Sequence, residues 1–185
     1  MAQFSIDTFT SKLAQGGALA SLFEAEITTT KGVAEASAVA DFRFLCKAAS
    51  LPGDAIDVAT VTYMGRQINI PSNRAATTWE TTVYNDEGME IRNNIESWME
   101  QLNSHKSNKR AAAMTQIQSY TGTLKIKTFG KASGTVITKS YEFIDAWPSA
   151  VGEIAVDWET NDIQTYPVTW EFSYWRSSKS NVGFE

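Results

Sequence analysis

Two residues of this chain could carry nucleophilic or metal chemistry, and each type occurs once: His105 and Cys46. One histidine with one cysteine cannot supply a zinc cage built from Cys and His alone. A Ser-His-Asp arrangement around His105 lacks a G-x-S-x-G elbow, and the sequence has no nucleotide-binding glycine loop. The pattern instead predicts His105 as a carbonyl cap at a helix end and Cys46 as a small core residue.

Carboxylates are the remaining candidates, because a pair of them can hydrolyse a glycosidic bond. The chain has 21 acids, and many fall on the polar side of alternating segments. Solvated strand faces account for them with fewer assumptions than an active site does. The sequence therefore predicts a protein that is not an enzyme and uses no metal or cofactor.

Charge is distributed unevenly along the chain. Residues 1–103 carry a net −6, residues 104–140 a net +7 without a single acid, and residues 141–185 a net −6. The basic middle could bind phosphate. It is equally explained by a solvated hairpin or by a patch complementary to another subunit, and we favour these two interpretations over nucleic-acid binding.

Length and composition predict one domain over residues 1–185, with an N-terminal arm at 1–21 and a solvated tail at 176–185. The first thirty residues lack the pattern of a secretory signal. No apolar run approaches the roughly 20 residues that span a bilayer. A lone cysteine suits a reducing compartment.

The elements that position these residues are predicted to be mainly strands, organised around the stretch Tyr141–Trp175. Residues 164–174 alternate, with Tyr166, Val168 and Trp170 on the packed side and Glu171 on the wet side. Residues 154–158 repeat the pattern and are predicted to pair with this strand, and Pro167 implies a bulge or an unpaired edge.

The other predicted elements follow from periodicity and turn chemistry. They are a short helix at Ile6–Gln15 capped by Asp7, strands at Leu22–Thr28, Asp41–Ala48, Trp79–Tyr84, Leu124–Phe129 and Val136–Asp145, a loop at Thr29–Ala40, an extended segment at Val58–Ile70 bent at Gly65, and a break at Trp147-Pro148. One convincing helix opens at 85–88 and carries an apolar stripe of Ile91, Ile95, Trp98 and Leu102. So many strands leave open edges, which identical subunits could close by forming a ring.

Several of these segments together resemble the tail tube protein family of contractile-tailed bacteriophages. The resemblance runs from about Leu22 to Trp175 and is carried by Phe44–Ala48 with Leu51-Pro52, Val61–Ile70, Trp79, Val83–Glu87, Trp98, Trp147-Pro148, Val151–Glu153, Asp157-Trp158, Ile163–Thr165 and Tyr174-Trp175. It implies two packed antiparallel sheets, a β-sandwich or barrel-like tail-tube fold with one flanking α-helix, related to the tubes of type VI secretion.

The resemblance also implies a function. Six copies would form a ring, and stacked rings would form the inner tail tube of the virion, assembled in the host cytoplasm. The implied partners are further copies, the tail sheath, baseplate and tail-terminator proteins, with the tape-measure protein and phage DNA in the lumen without tight binding. No membrane partner is implied.

Residue roles follow from the same resemblance. Ring-to-ring contacts are expected in Leu51–Asp57, at Leu51, Pro52, Asp54 and Asp57, and subunit contacts at Arg66 and Asn69. A lumen of carboxylates would repel DNA over about 8 Å instead of holding it. Among the strand acids, Glu80 and Glu171 are therefore the candidates for the channel wall.

Two alternatives remain open from the sequence. The chain could be a tube subunit or tube initiator of another contractile injection system, since these share every local feature. It could also be a monomeric β-sandwich module that binds carbohydrate through exposed aromatic side chains.

Overall fold

The computed structural model describes residues 5–13, 16–29, 36–75, 77–131 and 136–178. These residues form nine strands and four helices. The strands are β1 (Phe23–Thr29), β2 (Cys46–Ala49), β3 (Ile56–Tyr63), β4 (Arg66–Arg74), β5 (Trp79–Tyr84), β6 (Gly122–Phe129), β7 (Ile137–Val151), β8 (Thr165–Glu171) and β9 (Tyr174–Ser177), and the helices are α1 (Ile6–Lys12), α2 (Ala36–Leu45), α3 (Glu90–Leu102) and α4 (Ile117–Tyr120). The predicted mainly β architecture is confirmed.

Seven strands form one antiparallel sheet in the order β1-β6-β7-β8-β5-β2, with β9 pairing to β7, while β3 and β4 form a separate two-stranded sheet. The long strand β7 belongs to both halves of the large sheet. Its first part pairs with β6 and β9, and its last five residues pair with β8. The two halves therefore meet along one continuous strand.

Strand β7 changes partners at Asp145, which has a positive φ of 54°. The register with β6 shifts at the same place, between Gly122 and Leu124. A bulge of this kind bends a strand and increases its twist. The bend lets the two halves of the large sheet face each other.

Aromatic side chains from both halves fill the space between them. Trp79 of β5 stacks on Phe143 of β7 with ring centroids 4.6 Å apart. Trp170 of β8, fully buried, lies 6.2 Å from Phe42 and 6.0 Å from Trp98. Removing one such ring costs about 3–5 kcal/mol, so this cluster stabilises the whole sandwich.

Helix α3 flanks the sandwich as its stripe predicts. Ile91, Ile95 and Trp98 are buried, and the Trp98 indole donates a hydrogen bond to the Tyr120 carbonyl at 2.8 Å. Among the described residues, no helix is long and apolar enough to cross a membrane.

The predicted strand Asp41–Ala48 is wrong over its first half. Residues 36–45 form α2, and only residues 46–49 form a strand, β2. Phe42 is buried, whereas Phe44 is exposed beneath the Arg43 guanidinium. The two side chains therefore do not both face the core, as they would in the predicted strand. Cys46 is buried as predicted.

Neighbouring predictions need similar adjustment. The loop predicted at Thr29–Ala40 ends in α2, and residues 30–35 lie outside the described residues. Ser5, not Asp7, caps α1, and that helix ends at Lys12. Within the predicted tail 176–185, residues 176 and 177 belong to β9, and residues 179–185 lie outside the described residues.

The strand predicted at residues 154–158 is also wrong. Residues 152–164 form a loop between β7 and β8, and Trp158 is fully exposed. The partner of β8 is instead the end of β7, which continues through the predicted break at Trp147-Pro148. Pro148 is tolerated there because the ladder is irregular between Pro148 and Ala150.

Pro167 lies where β8 extends beyond the end of β7. The last β7–β8 pair is Val151 with Val168, and the next residue, Gly152, donates its N–H to the Pro167 carbonyl at 2.8 Å. The missing N–H of Pro167 therefore falls at the end of the β7–β8 ladder. Strand β8 is not an edge strand, because Pro167 also lies opposite Thr82 of β5. A Cβ on Gly152 would lie 2.4 Å from the Pro167 ring, so this contact requires glycine.

Candidate assembly surfaces

Strands β3 and β4 form an antiparallel ribbon in which every residue is exposed. They are joined by Met64 and Gly65, with φ of 48° and 77°. Two consecutive positive φ values are those of a type I′ hairpin turn, so the predicted bend at Gly65 is confirmed. Because all of its residues are exposed, the ribbon is not part of the hydrophobic core that stabilises the rest of the chain.

The two faces of the ribbon differ in polarity. Paired residues of an antiparallel ladder lie on the same face, so one face carries Ala59, Val61, Tyr63, Arg66, Ile68 and Ile70 and the other carries Val58, Thr60, Thr62, Gln67, Asn69 and Pro71. Val61 and Ile68 lie opposite each other and are 49% and 51% exposed. The described residues of the chain leave this apolar face uncovered. Such a patch marks a site of association.

All six residues predicted to make contacts between subunits or rings lie on the ribbon or at its base. Leu51, Pro52 and Asp54 precede β3, and the Asp54 carboxylate forms an ion pair with Arg74 at the end of β4. The other three, Asp57, Arg66 and Asn69, lie within the two strands.

Arg66 and Asn69 lie on opposite faces of the ribbon. Asn69 accepts a hydrogen bond from Thr60 at 3.3 Å on the polar face. Arg66 lies beside Tyr63 on the apolar face and forms no ion pair with any described residue. The two residues therefore cannot serve one flat contact.

Glu80 and Glu171 share the outer face of the large sheet. Glu80 of β5 lies opposite Thr169 of β8, and Glu171 is two residues further along β8 on the same side. Both point away from the buried Trp79 and Trp170. The structure thus brings these two predicted residues together on one surface, far along the chain from each other.

The basic middle of the chain is partly neutralised within the molecule. On the outer face of the other half-sheet, Lys127 of β6 contacts Glu24 and Glu26 of β1, and Lys125 lies 2.7 Å from Glu142 of β7. Arg176 of β9 lies 2.6 Å from the same carboxylate. These cross-strand pairs engage two of the seven bases that the sequence singles out.

The loop at residues 152–164 is the feature that sequence reasoning missed. It contains four exposed acids and no base, and it exposes Val156, Trp158 and Ile163. Its end is attached to the residue that follows β5 by paired hydrogen bonds of 2.9 Å, which Asn85 donates to Gln164. Gly152, Asn161 and Asp162 are the turn-forming residues that could have indicated a loop.

The two chemically suggestive residues do not form a site. The side chain of His105 is 96% exposed, and its imidazole lies 3.9 Å from the Glu100 carboxylate. Within the described ranges it caps no carbonyl, so the predicted cap is not seen there. Burial raises the pKa of the Cys46 thiol to about 12, so it is a poor nucleophile. Within the described ranges no three His, Cys, Asp or Glu residues are grouped to hold a metal ion.

The fold is shared with chains of contractile injection systems. The chain is similar to a subunit in the structure of an extracellular contractile injection system, the PVC sheath–tube complex in its extended state, with a TM-score of 0.61 and 15% identity over 91% of this chain and 96% of that one. It is also similar to a chain of the six-fold symmetrised anti-feeding prophage baseplate, with a TM-score of 0.53, 9% identity, and coverage of 70% and 77%. At these identities the likeness establishes the fold.

The particular family follows from the sequence. The model of the phage tail tube protein family matches residues 5–178, and the chain belongs to that family. It is 32% identical to the tail tube protein gp19 of Enterobacteria phage T4 over 136 residues, which cover 73% of this chain and 81% of that protein. The chain is a structural component of the virion, a tail tube protein of a contractile phage tail.

The family also decides between the alternatives. A tube subunit or tube initiator of another contractile injection system and a carbohydrate-binding module are not favoured by these matches. The exposed aromatic residues that a sugar-binding module would use, Tyr63, Trp158 and Tyr174, lie on three different elements, the ribbon, the β7–β8 loop and β9.

Proposed function

We propose that six copies of this chain form a ring, that the rings stack into the inner tail tube, and that DNA passes through the lumen during ejection. The single observation that carries this proposal is a ribbon whose apolar face is uncovered in one copy of a tail tube protein. Covering that face with another copy removes apolar surface from water, at about 25 cal/mol per Å². The protein then acts as a passive conduit with no turnover.

The proposed partners follow the contacts named in related structures. A relative of this fold lies in a sheath–tube complex and another in a six-fold symmetrised baseplate. We assign this chain a sheath around its outer surface and a baseplate and terminator at the tube ends. Leu51, Pro52, Asp54 and Asp57 form the proposed ring-to-ring contact, because they lie at the base of the ribbon. The tape-measure protein and DNA occupy the lumen.

Glu80 and Glu171 are the proposed channel residues. They lie on an outer face that also carries the hydroxyl groups of Thr82, Thr165 and Thr169. Carboxylates and hydroxyls offer phosphate no cation to exchange for its counterions. Lys47 lies beside this face, with its ammonium 5.4 Å from the centre of the Tyr84 ring, so DNA would be held only weakly.

Negative-stain imaging of the purified protein tests the proposal. We expect the wild-type protein at high concentration to form rings and stacked tubes. Val61→Asp places a charge on the apolar face and should abolish the tubes, whereas Thr62→Asp places the same charge on the polar face and should disturb them less. A wild-type protein that stays monomeric at every concentration contradicts the tube, and tubes of normal length from Val61→Asp contradict the role of the apolar face.

A further inference from the structure

The apolar face of the β3–β4 ribbon needs an occupant, and the opposite end of the same molecule offers one. We propose that the ribbon of one copy docks on the β7–β8 loop, residues 152–164, of a copy in the adjacent ring. This inference rests on the proposed tube and names the surface that receives the ribbon.

Position in the fold supports a head-to-tail contact. The ribbon leaves the large sheet at the start of β5, where the Trp79 indole donates to the Ser50 carbonyl at 2.7 Å. The loop rejoins the sheet at the other end of β5, where Asn85 bonds Gln164. Strand β5 has six residues and is therefore about 20 Å long. The two surfaces thus lie at opposite ends of one strand, as a repeating head-to-tail assembly requires.

Chemistry supports the same pairing. The loop carries Glu153, Asp157, Glu159 and Asp162 without a base, and the ribbon carries Arg66 at its tip beside the apolar face. Among the described residues Arg66 has no carboxylate partner. Arginine binds carboxylates and also stacks on indole rings, and the loop exposes both.

Apolar surfaces match as well. Trp158, Val156 and Ile163 are exposed on the loop, and Val61, Ile68 and Ile70 are exposed on the ribbon. No described residue of the same chain packs over either set of side chains. A large aromatic residue in the centre of a contact, with charges around it, is the usual arrangement of an interface hot spot.

Cross-linking between copies tests the proposal directly. Cys46 is buried, so cysteines introduced on the surface are the reactive ones. We would mix tagged Ala59→Cys, on the apolar face, with untagged Thr160→Cys, in the loop, assemble tubes, and add a short bismaleimide. We expect a covalent heterodimer from this mixture and none when Thr160→Cys is replaced by Thr138→Cys, an exposed control at the start of β7.

The outcomes separate this docking from the tube itself. Tubes that form without the heterodimer, or in which Ala59→Cys links only to itself, overturn the docking and leave the tube intact. Protein that never leaves the monomeric state overturns both, because the docking joins two copies. Circular dichroism of each cysteine variant verifies that it folds.

A mutant cycle supplies a second measurement that does not depend on which acid meets Arg66. Arg66→Ala should raise the critical concentration for assembly about two- to fivefold, the range of an exposed ion pair. In a chain whose four loop acids are replaced by their amides, the same substitution should have a smaller effect, because only the contact with the Trp158 indole is left to lose. Equal effects of Arg66→Ala in both backgrounds overturn the contact.

Discussion

Glu142 shows how single residues stabilise the outer face of the β1-β6-β7-β9 half-sheet. The hydrogen bond from Lys125, helped by the Arg176 guanidinium, lowers the pKa of Glu142 from its ordinary value of 4.5, although partial burial opposes the shift. A carboxyl whose pKa is lower in the folded chain stabilises it above the unfolded pKa. That stabilisation is lost as the pH falls through the folded pKa.

Glu142→Gln should therefore change stability in a pH-dependent way. At pH 7 we expect the free energy of unfolding to fall by roughly 1 kcal/mol, because two partly exposed ion pairs are lost. The difference from wild type should shrink as the pH is lowered below 4.5. Urea unfolding of the dilute protein across this range measures it, with Glu87→Gln, at an exposed turn, as the control. A difference that persisted in acid would point to packing instead of charge.

Strand β7 is the element that joins the two halves of the large sheet, and its bend depends on backbone conformation at Asp145. The left-handed φ of 54° suits Asp or Asn, whose short polar side chains tolerate this region, and disfavours branched residues. The bend positions the last part of β7 against β8.

Asp145→Val should lower the free energy of unfolding by about 1–2 kcal/mol relative to Asp145→Asn. The asparagine variant keeps the conformation while it removes the charge, so it separates the two causes. Chemical denaturation of both variants is the measurement. Equal losses would mean that the carboxylate, not the backbone, matters at this position.

The whole molecule leaves three surfaces without a cover in the described residues: the apolar face of the ribbon, the β7–β8 loop, and the outer sheet face that carries Glu80 and Glu171. The first two are complementary to each other. The third is mostly Thr-rich and acidic, which suits a channel wall that does not retain DNA.

Glu171→Lys should slow DNA ejection from phage that carry it, because lysine in the channel would bind passing phosphates. The delay should decrease at high salt, where charges are screened. Ejection rates from purified particles measure this, and Glu87→Lys provides a charge-matched control away from the sheet face. An unchanged rate at low salt would remove Glu171 from the channel.

The sequence by itself determined the elements whose pattern is local. The alternation of Tyr166, Val168 and Trp170 and the stripe of α3 follow from side-chain spacing within one element, because a strand or helix repeats every two or 3.6 residues. The bulge or tight bend predicted at Gly65 follows from the conformational freedom of glycine. The contact roles of the base of the ribbon and of Arg66 came instead from the resemblance to the tail tube family, and they stay predictions.

Burial, strand pairing and the structure of short alternating segments depend on the tertiary structure. A few alternating residues, as at Phe42–Cys46 or Ile154–Trp158, fit a strand, a helix or a loop equally well, and long-range contacts select among them. Whether Trp158 is buried, which strand pairs with β8, and that the ribbon and the acidic loop lie at opposite ends of β5 all depend on residues distant in the chain. Burial and strand register are properties of these contacts, so no local pattern contains them.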